Sequence, residues 1–466
     1  MLFQGFGPLL WAGTIETVKL AVLSLAASLV LGLAGAAAKL SSNRALASVG
    51  TFYTTLIRAV PDLVLMLLLF YGIQILLNDV TDMLGAEQID IDPFVAGIVT
   101  LGFIYGAYFT ETFRGAFLAV PRGQLEAGFA YGMGSWRVFA RIMFAQMMRF
   151  ALPGIGNNWQ VLVKATALVS IIGLADVVKA AQDARQEHAE FLLLHARGGR
   201  DLPRDHDAVE PRVDVPRKTL FGGCAEGGAV IQIIGQYWQN YLFSDGYRLS
   251  GLAITLWLLV VSLGLGFGLA VPLAIARASR NRAVSGAVWL YTYVFRGTPL
   301  YVQLLLCYTG IYSLSVVHDH AWLDSFFRSA MNCTLLAFTL NECAYATEIF
   351  AGAIKSTAPG EIEAGLAYGM SRFKLYTRVI LPSALRRALP SYSNEVILML
   401  HATTLAFTAT VPDILKVTRD VNSATYASFQ AYGIAAALYA VVVFALIWLF
   451  RRMEARWLAY LRPQGH

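Results

Sequence analysis

The feature that most constrains this chain is that it repeats itself. Gly123–Met133 reads GQLEAGFAYGM and Gly360–Met370 reads GEIEAGLAYGM, identical at eight of eleven positions and 237 residues apart. The register extends to both sides. Tyr108 and Glu111 match Tyr345 and Glu348, Arg149 and Pro153 match Arg386 and Pro390, and Asn157 and Asp176 match Asn394 and Asp413. Further upstream the spacing is 238, so that Arg58 and Pro61 match Arg296 and Pro299. A direct repeat of this length means one structural unit built twice, and any fold assigned to the chain must suit both copies.

The unit is membrane-spanning. The 466 residues are 57% hydrophobic and 14% charged, against about 25% charged in an ordinary soluble domain. Apolar runs cover Leu20–Leu33, Leu63–Leu77, Leu252–Ile275 and Ile434–Phe450. A bilayer-crossing helix needs roughly 20 mostly apolar residues, and the core helix of a soluble protein would interrupt such runs with polar positions at helical spacing. Met1–Trp11 has no charged segment and no small-residue cleavage site, so the first apolar helix is expected to be retained. Cys224, Cys307, Cys333 and Cys343 form no C-x-x-C pair and no cluster with metal-ligand spacing. They are expected to pack as small hydrophobes, and no metal or other cofactor is expected on this chain.

The apolar segments are expected at Thr14–Lys39, Tyr53–Leu77, Phe94–Phe117 and Trp159–Val178 in the first half. In the second they are expected at Gly251–Ala276, Val294–Leu314, Thr334–Ile354, Val396–Pro412 and Tyr432–Phe450. Lys and Arg concentrate in cytoplasmic loops, and here they follow the first span of each half (Lys39 and Arg44; Arg277, Arg280 and Arg282) and fill the connection after the third. The loop Asn78–Asp92 has five carboxylates and no Lys or Arg, and Val316–Ser325 also has neither cation. Each half therefore starts outside, and the repeated loop lies inside. Two copies in the same orientation imply a pseudo-twofold axis along the membrane normal. The expected fold is all-α, two tandem bundles in parallel, with about four helices in the first half and five in the second. The net charge of +6 fits basic cytoplasmic loops better than nucleic-acid binding.

The repeated loop reads as two helices joined by a glycine. Gln124–Tyr131 and Glu361–Tyr368 form the first helix, Gly132 and Gly369 stop it, and a second is expected over Ser135–Met148 and Ser371–Ala388. Such an elbow suits a groove on another protein, with Ala127, Gly128, Ala364 and Gly365 permitting close approach and Glu126 and Glu363 as charged anchors. The plainer reading is an amphipathic surface helix.

Glu126, Ala127 and Gly132, then Ile142 and Phe144, resemble the E-A-x-x-x-x-G and I-x-L-P signature of bacterial ABC-importer permeases. The second half repeats it as Glu363, Ala364 and Gly369, then Val379, Leu381 and Pro382. The usual third small residue is glycine here, at Gly128 and Gly365, an exchange expected to be mild. The usual proline is Ala145 in the first half, which is expected to loosen that elbow. Thr54–Asp62, Phe103–Gly115 and Leu152–Trp159 look like one permease subunit of the histidine and lysine/arginine/ornithine importer. Phe295–Val302 and Tyr392–Asp413 look like the other. This polar-amino-acid permease family has a MetI-like transmembrane domain, and the resemblance implies import of a polar, basic amino acid. It also implies docking of two copies of an ABC ATP-binding subunit on the loops, a periplasmic solute-binding protein, and residence in the bacterial inner membrane. The chain carries no G-x-x-x-x-G-K-[ST] phosphate loop, so ATP and Mg would be held by the partner subunit. Relatives carry other polar amino acids, which leaves the cargo open within that class.

Charges inside membrane helices are functional candidates by default. Asp62, Glu111, Glu348, Glu395 and His401 are the candidates for a substrate pathway, and Glu342 and Glu395 have no carboxylate at their matching positions. The competing reading of the carboxylates is helix pairing, for example with Arg58 or Arg296. His401 and Lys164 occupy matching positions of the repeat, and a lone histidine among apolar neighbours is more often hydrogen-bonded structure. Pro61 and Pro299 are expected to kink their helices.

The first half lacks the fifth span that the repeat demands. The units are placed at 1–181 and 231–466, and the joint at 182–230 is too polar to cross a bilayer, most clearly over Arg197–Lys218. It is either an exposed linker or a reading-frame shift. Codon degeneracy permits Phe191–Asp205, read one base later, to spell FFFFMLAGVVIYLVI, and Asp207–Cys224 to spell TLSNRVLMFLEKRYSVGV. Together these make an apolar span with a basic tail, and the coding DNA would decide. A secondary transporter, an ion channel or an intramembrane enzyme would leave the doubled loop without a role, and H-E-x-x-H does not occur.

Overall fold

The structure is a computed structural model and describes residues 6–184 and 226–458. Most of the joint at 182–230, including the stretch read above in the alternative frame, and Cys224 lie outside those residues.

The first half runs through α1 (Gly7–Leu40), α2 (Arg44–Ala59), α3 (Asp62–Met83), α4 (Pro93–Leu118), α5 (Arg122–Ala130), α6 (Ser135–Ile172) and α7 (177–184). The second opens with α8 (Glu226–Leu242) and then repeats the plan. It continues as α9 (Gly251–Arg277), α10 (Arg282–Gly297), α11 (Leu300–Ile311), α12 (Ala330–Lys355), α13 (Pro359–Ala367), α14 (372–409), α15 (Ile414–Thr425) and α16 (Ser428–Trp457). Among the described residues there is no strand, and six helices are long and apolar enough to cross a membrane. Two pairs of elements coincide residue for residue, α2 with α10 at a shift of 238 and α4 with α12 at a shift of 237, while the second half adds short helices at Ser315–His318 and Ala321–Arg328.

Two expected spans are broken. Tyr53–Leu77 and Val294–Leu314 were each expected as one segment, but Pro61 and Pro299 stand directly before α3 and α11, and Val60 and Thr298 are extended. Proline lacks an amide proton and fits the start of a helix, so it restarts the helix rather than merely kinking it. The expected fourth spans also change character. Each tightens to a 3-10 turn, at Thr166–Ile172 and Thr403–Ala409, and stops at a left-handed residue, Gly173 in one half and Thr410 in the other. Hydroxyls of Thr166, Ser170, Thr403 and Thr404 bond to carbonyls three residues back, which supports the tighter winding. Asp176 and Asp413 then start the next helix by accepting the amide protons of Lys179 and Lys416, each at 2.9 Å.

Small residues hold the first and third long helices of each half together, as membrane helices pack in the absence of a hydrophobic drive between them. A Cβ on Gly102 would lie 2.8 Å from Ala27 Cβ, and one on Gly266 would lie 2.7 Å from Glu342 Cγ. The halves interlock through α16. It packs on α14 and α15 of its own half and on α2 and α3 of the other. Tyr432 stacks on Tyr71 with ring centres 5.5 Å apart. Cys307, Cys333 and Cys343 are buried and unpaired among the described residues.

Candidate functional site

Two regions carry chemistry: the paired elbows and the space between the halves. In the first elbow α5 ends at Tyr131, and Gly132 takes φ +74°. The Met133 amide bonds back to Gly128 O at 3.1 Å, and the Gly132 amide to Phe129 O at 2.9 Å. Gly369 (φ +72°), Met370 and Gly365 reproduce this arrangement. A left-handed residue at this place favours glycine, which has no Cβ to clash. Gly128 and Gly365 do not face outward for a partner. They are buried, and a Cβ there would come 2.7 Å from Ile142 Cδ1 and 2.5 Å from Leu375 Cδ1. Glycine at these positions is therefore needed by the elbow's own packing, where the sequence suggested a mild exchange.

The missing proline does not loosen the first elbow. Both second helices pass through one π-turn, Phe139–Met143 and Tyr376–Ile380, and then run on far beyond the expected ends at Met148 and Ala388. Glu126, Ala127, Phe129, Tyr131 and Trp136 are exposed on one elbow, and Glu363, Ala364, Leu366, Tyr368 and Phe373 at the matching places on the other. Each face therefore combines one carboxylate with three large apolar or aromatic side chains. The elbows differ at one anchor. Arg387 donates to Ala353 O at 3.1 Å and to Thr357 Oγ1 at 2.7 Å, tying the second elbow to the end of α12. Its counterpart is Phe150, which is exposed.

Between the halves lie two cavities of about 250 Å³ related by the pseudo-twofold. Lys39, Thr54, Arg58, Tyr108, Glu111, Asn394 and His401 line the first, and Arg277, Thr292, Arg296, Tyr345, Glu348, Asn157 and Lys164 line the second. In both, the arginine lies over the tyrosine ring, at 5.5 Å for Arg58 on Tyr108 and 5.1 Å for Arg296 on Tyr345. The carboxylates take other partners than the arginines expected. Glu111 pairs with Lys39 of α1 and with Arg114 Nε at 2.9 Å, while Glu348 accepts from Arg277 Nε of α9 at 2.8 Å and from Thr292 Oγ1 at 2.7 Å. Each pair joins the first and third long helices of its half.

A larger cavity of about 390 Å³ shares six wall residues with the first of these and touches the second only at Asn157 and Val161. It adds Asp62, Tyr105, Asn158, Leu168 and Leu405 to the wall. Tyr105 donates to Asp62 Oδ2 at 2.8 Å, and Asp62 Oδ1 has no partner. Neither ring nitrogen of His401 has a partner, so the hydrogen-bonded role usual for a lone histidine is not what is found. On the opposite side Lys164 donates to Tyr345 Oη at 2.9 Å and to Arg296 O at 3.2 Å. Asp62, Glu111 and His401 thus meet at one cavity, and Glu348 lies across the axis. Glu395 is buried within the second bundle, as is Glu342, whose two carboxyl oxygens are both unpartnered. The cavity-lining roles of Arg58, Tyr105, Asn157, Asn158, Asn394 and Lys164 were not read from the sequence. A signal existed for Asn157 and Asn394, polar residues conspicuous at matched positions of apolar helices. Among the described residues no group of three or more His, Cys, Asp or Glu side chains is placed to hold a metal.

The family model described as binding-protein-dependent transport system inner membrane component matches the chain twice, over residues 28–196 and 262–458. The chain is 60% identical over 236 residues to the histidine/lysine/arginine/ornithine transport system permease protein HisM of Escherichia coli (strain K12). That match covers 51% of this chain and 99% of that protein. It is 64% identical over 181 residues to the permease protein HisQ of the same-named system of Salmonella typhimurium (strain LT2), covering 39% of this chain and 79% of that protein. A crystal structure of an amino acid ABC transporter with histidines is 25% identical, with a TM-score of 0.42 over 50% of this chain and 100% of that one.

Proposed function

Since this chain belongs to the family of binding-protein-dependent transport system inner membrane components, we propose that it is the multi-pass permease of an importer bringing a polar, basic amino acid into the cytoplasm. The relatives named for histidine, lysine, arginine and ornithine transport, one for each half, support that cargo class. The observation that carries the reading is the larger cavity between the halves, where Asp62 keeps an oxygen free. A buried carboxylate with an unmet acceptor is suited to a cationic amine. Arg58 on the same wall would face the carboxylate that every free amino acid carries, and His401 would contribute a polar ring without adding a fixed charge. Glu111 and Glu348, already neutralised, hold helices, and Glu395 with Glu342 adds acidic character behind the wall.

The elbows, with Glu126, Ala127 and Gly132 on one and Glu363, Ala364 and Gly369 on the other, would each receive one copy of an ATP-binding subunit that holds ATP and Mg. A solute-binding protein would deliver the amino acid from the outer face of the bacterial inner membrane. The units would be 1–181 and 231–466 with the joint at 182–230 between them, although the described helices 177–184 and Glu226–Leu242 run across both bounds.

The test is uptake of labelled histidine, arginine, lysine and ornithine into proteoliposomes holding the chain and its ATPase, with the solute-binding protein added. ATP-dependent uptake of at least one of them, lost in Asp62→Asn, is the expected result. Uptake of all four at the rate of empty liposomes sinks the reading.

A further inference from the structure

Each half breaks an apolar segment once, before Pro61 and before Pro299, and the repeat lets the two breaks be compared residue by residue. Such a break frees backbone carbonyls, which in an apolar surrounding need partners. In the second half they find them. Gln303 Nε2 donates to Phe295 O at 2.7 Å, to Thr298 O at 3.2 Å and to Thr298 Oγ1 at 2.8 Å. Asn341 of α12 donates to Phe295 O and to Gln303 Oε1, both at 3.1 Å. Lys164 and Tyr345 donate to Arg296 O at 3.2 and 3.4 Å. The last turn of α10 is thereby stitched to the start of α11 and to α12.

The first half cannot form these bonds. Leu65, Ile104 and Val60 stand at the places of Gln303, Asn341 and Thr298, and none has a polar side-chain atom. They are 5%, 0% and 2% exposed, so apolar packing alone fills the site. His401 stands at the place of Lys164, and neither of its ring nitrogens has a partner. Among the described residues the side-chain bond beside this break is that of Tyr105 to Asp62 Oδ2, at 2.8 Å. Elsewhere the two halves are tied alike. Tyr53 of α2 donates to Phe103 O of α4, as Tyr291 of α10 donates to Leu340 O of α12.

Apolar contact is non-directional and tolerates a change of angle, whereas hydrogen bonds out of reach of water fix one geometry. We propose that the break before α3 is a hinge and the break before α11 a fixed joint, with Gln303 and Asn341 as the positioning residues that fix it. α3 swings at Val60 and Pro61 while Tyr53 keeps α2 on α4. Asp62 and Leu63, the first residues of α3, then move in the wall of the larger cavity. Hinges commonly lie at such element ends. The second half carries the same helices but holds its break rigid. This inference goes beyond the choice of cargo and does not depend on it.

The test is a pair of spin-label distance distributions, measured on the full chain in lipid nanodiscs with its four cysteines changed to alanine. Phe52→Cys with Leu76→Cys spans the first break, and Leu290→Cys with Leu314→Cys spans the second. All four positions are exposed, and the two pairs match in the repeat. No amino acid, nucleotide or partner is added. The expected result is a distribution spread over about 5 Å across the first break, about one helical turn, against about 2 Å across the second. Gln303→Leu with Asn341→Ile gives the second break the residues of the first and should widen its distribution to match. Thr298→Val, which removes only a hydroxyl, should widen it in the same direction and serves where the double variant does not elute as a folded species. Equal widths across the two breaks of the unsubstituted chain overturn the proposal. So does a folded variant whose second distribution stays as narrow as before.

Discussion

The two sides of the central axis are built from the same helices in the same register, yet they are not equivalent. On the side where α2 and α4 of the first half meet α14 of the second, the wall carries Asp62, Tyr105 and an unpartnered His401, and α16 closes it. On the other side the matching places hold Leu300, Glu342 and Lys164, and Lys164 is already bonded to Tyr345 and Arg296. Duplication conserved the frame, including the proline breaks, the Arg-on-Tyr pairs and the ion pairs between the first and third long helices. Divergence then placed Asp62 with a free oxygen in the wall of the larger cavity on one side, and a bonded Lys164, with the unpartnered Glu342 outside the cavity linings, on the other. A cationic cargo would find a free carboxylate oxygen in the cavity wall on the first side only, at Asp62.

That contrast can be broken most severely at the elbows, where the halves are most alike. Glu126→Lys with Glu363→Lys is expected to reduce ATP-driven uptake by about 100-fold, since opposed like charges at a docking face cost several kcal/mol. Either single change should leave partial activity. Equal loss in one single and in the double variant would mean that the elbows do not act as a pair.

Asp62→Asn is the next largest. Loss of a charge-assisted bond costs about 1.5–3 kcal/mol, so uptake at limiting substrate should fall by about 10- to 100-fold. Leu300→Asn on the other side should change it by less than about threefold, and a comparable loss from Leu300→Asn would show that the sides share the work.

Gly128→Ala and Gly365→Ala test the elbow packing. Overpacking at such sites costs about 1–3 kcal/mol. Both variants should lower the thermal unfolding midpoint in detergent, with the larger effect at Gly365, where the intruding methyl comes closer.

Smallest is Arg387→Ala, which removes three bonds in the second elbow, to Ser383, Ala353 and Thr357, that the first elbow never had. It should weaken ATPase coupling by about tenfold, the result of about 0.5 kcal/mol per bond for a part-buried arginine that water can partly replace. Phe150→Arg would sharpen the comparison if it strengthened the first elbow.

Much of the fold was legible because each apolar run and each basic loop carries its own signal. The orientation of the halves, the elbow glycines Gly132 and Gly369 and the pairing of Glu111 with Glu348 across the repeat follow from residue type and spacing alone. The proline restarts at Pro61 and Pro299 were only half legible, because a proline that kinks a helix and one that begins a helix look the same in sequence. The partners of Glu111 and Glu348 were not legible. Lys39 and Arg277 lie 72 and 71 residues away from them, and only packing of the first and third long helices brings them together.

The sequence by itself therefore determined the class of the molecule: a doubled, parallel, all-helical membrane unit with two inward-facing elbows. Hydrophobic length, charge bias and glycine placement are local quantities, and a chain displays them before it folds. The tertiary structure decided which candidates share a cavity, gathering Asp62, Glu111 and His401 while burying Glu395 and turning Gly128 and Gly365 inward. It also decided that α16 seals one flank of the axis. Such outcomes depend on contacts between helices hundreds of residues apart, where the repeat predicts equivalence and only packing reveals where it fails.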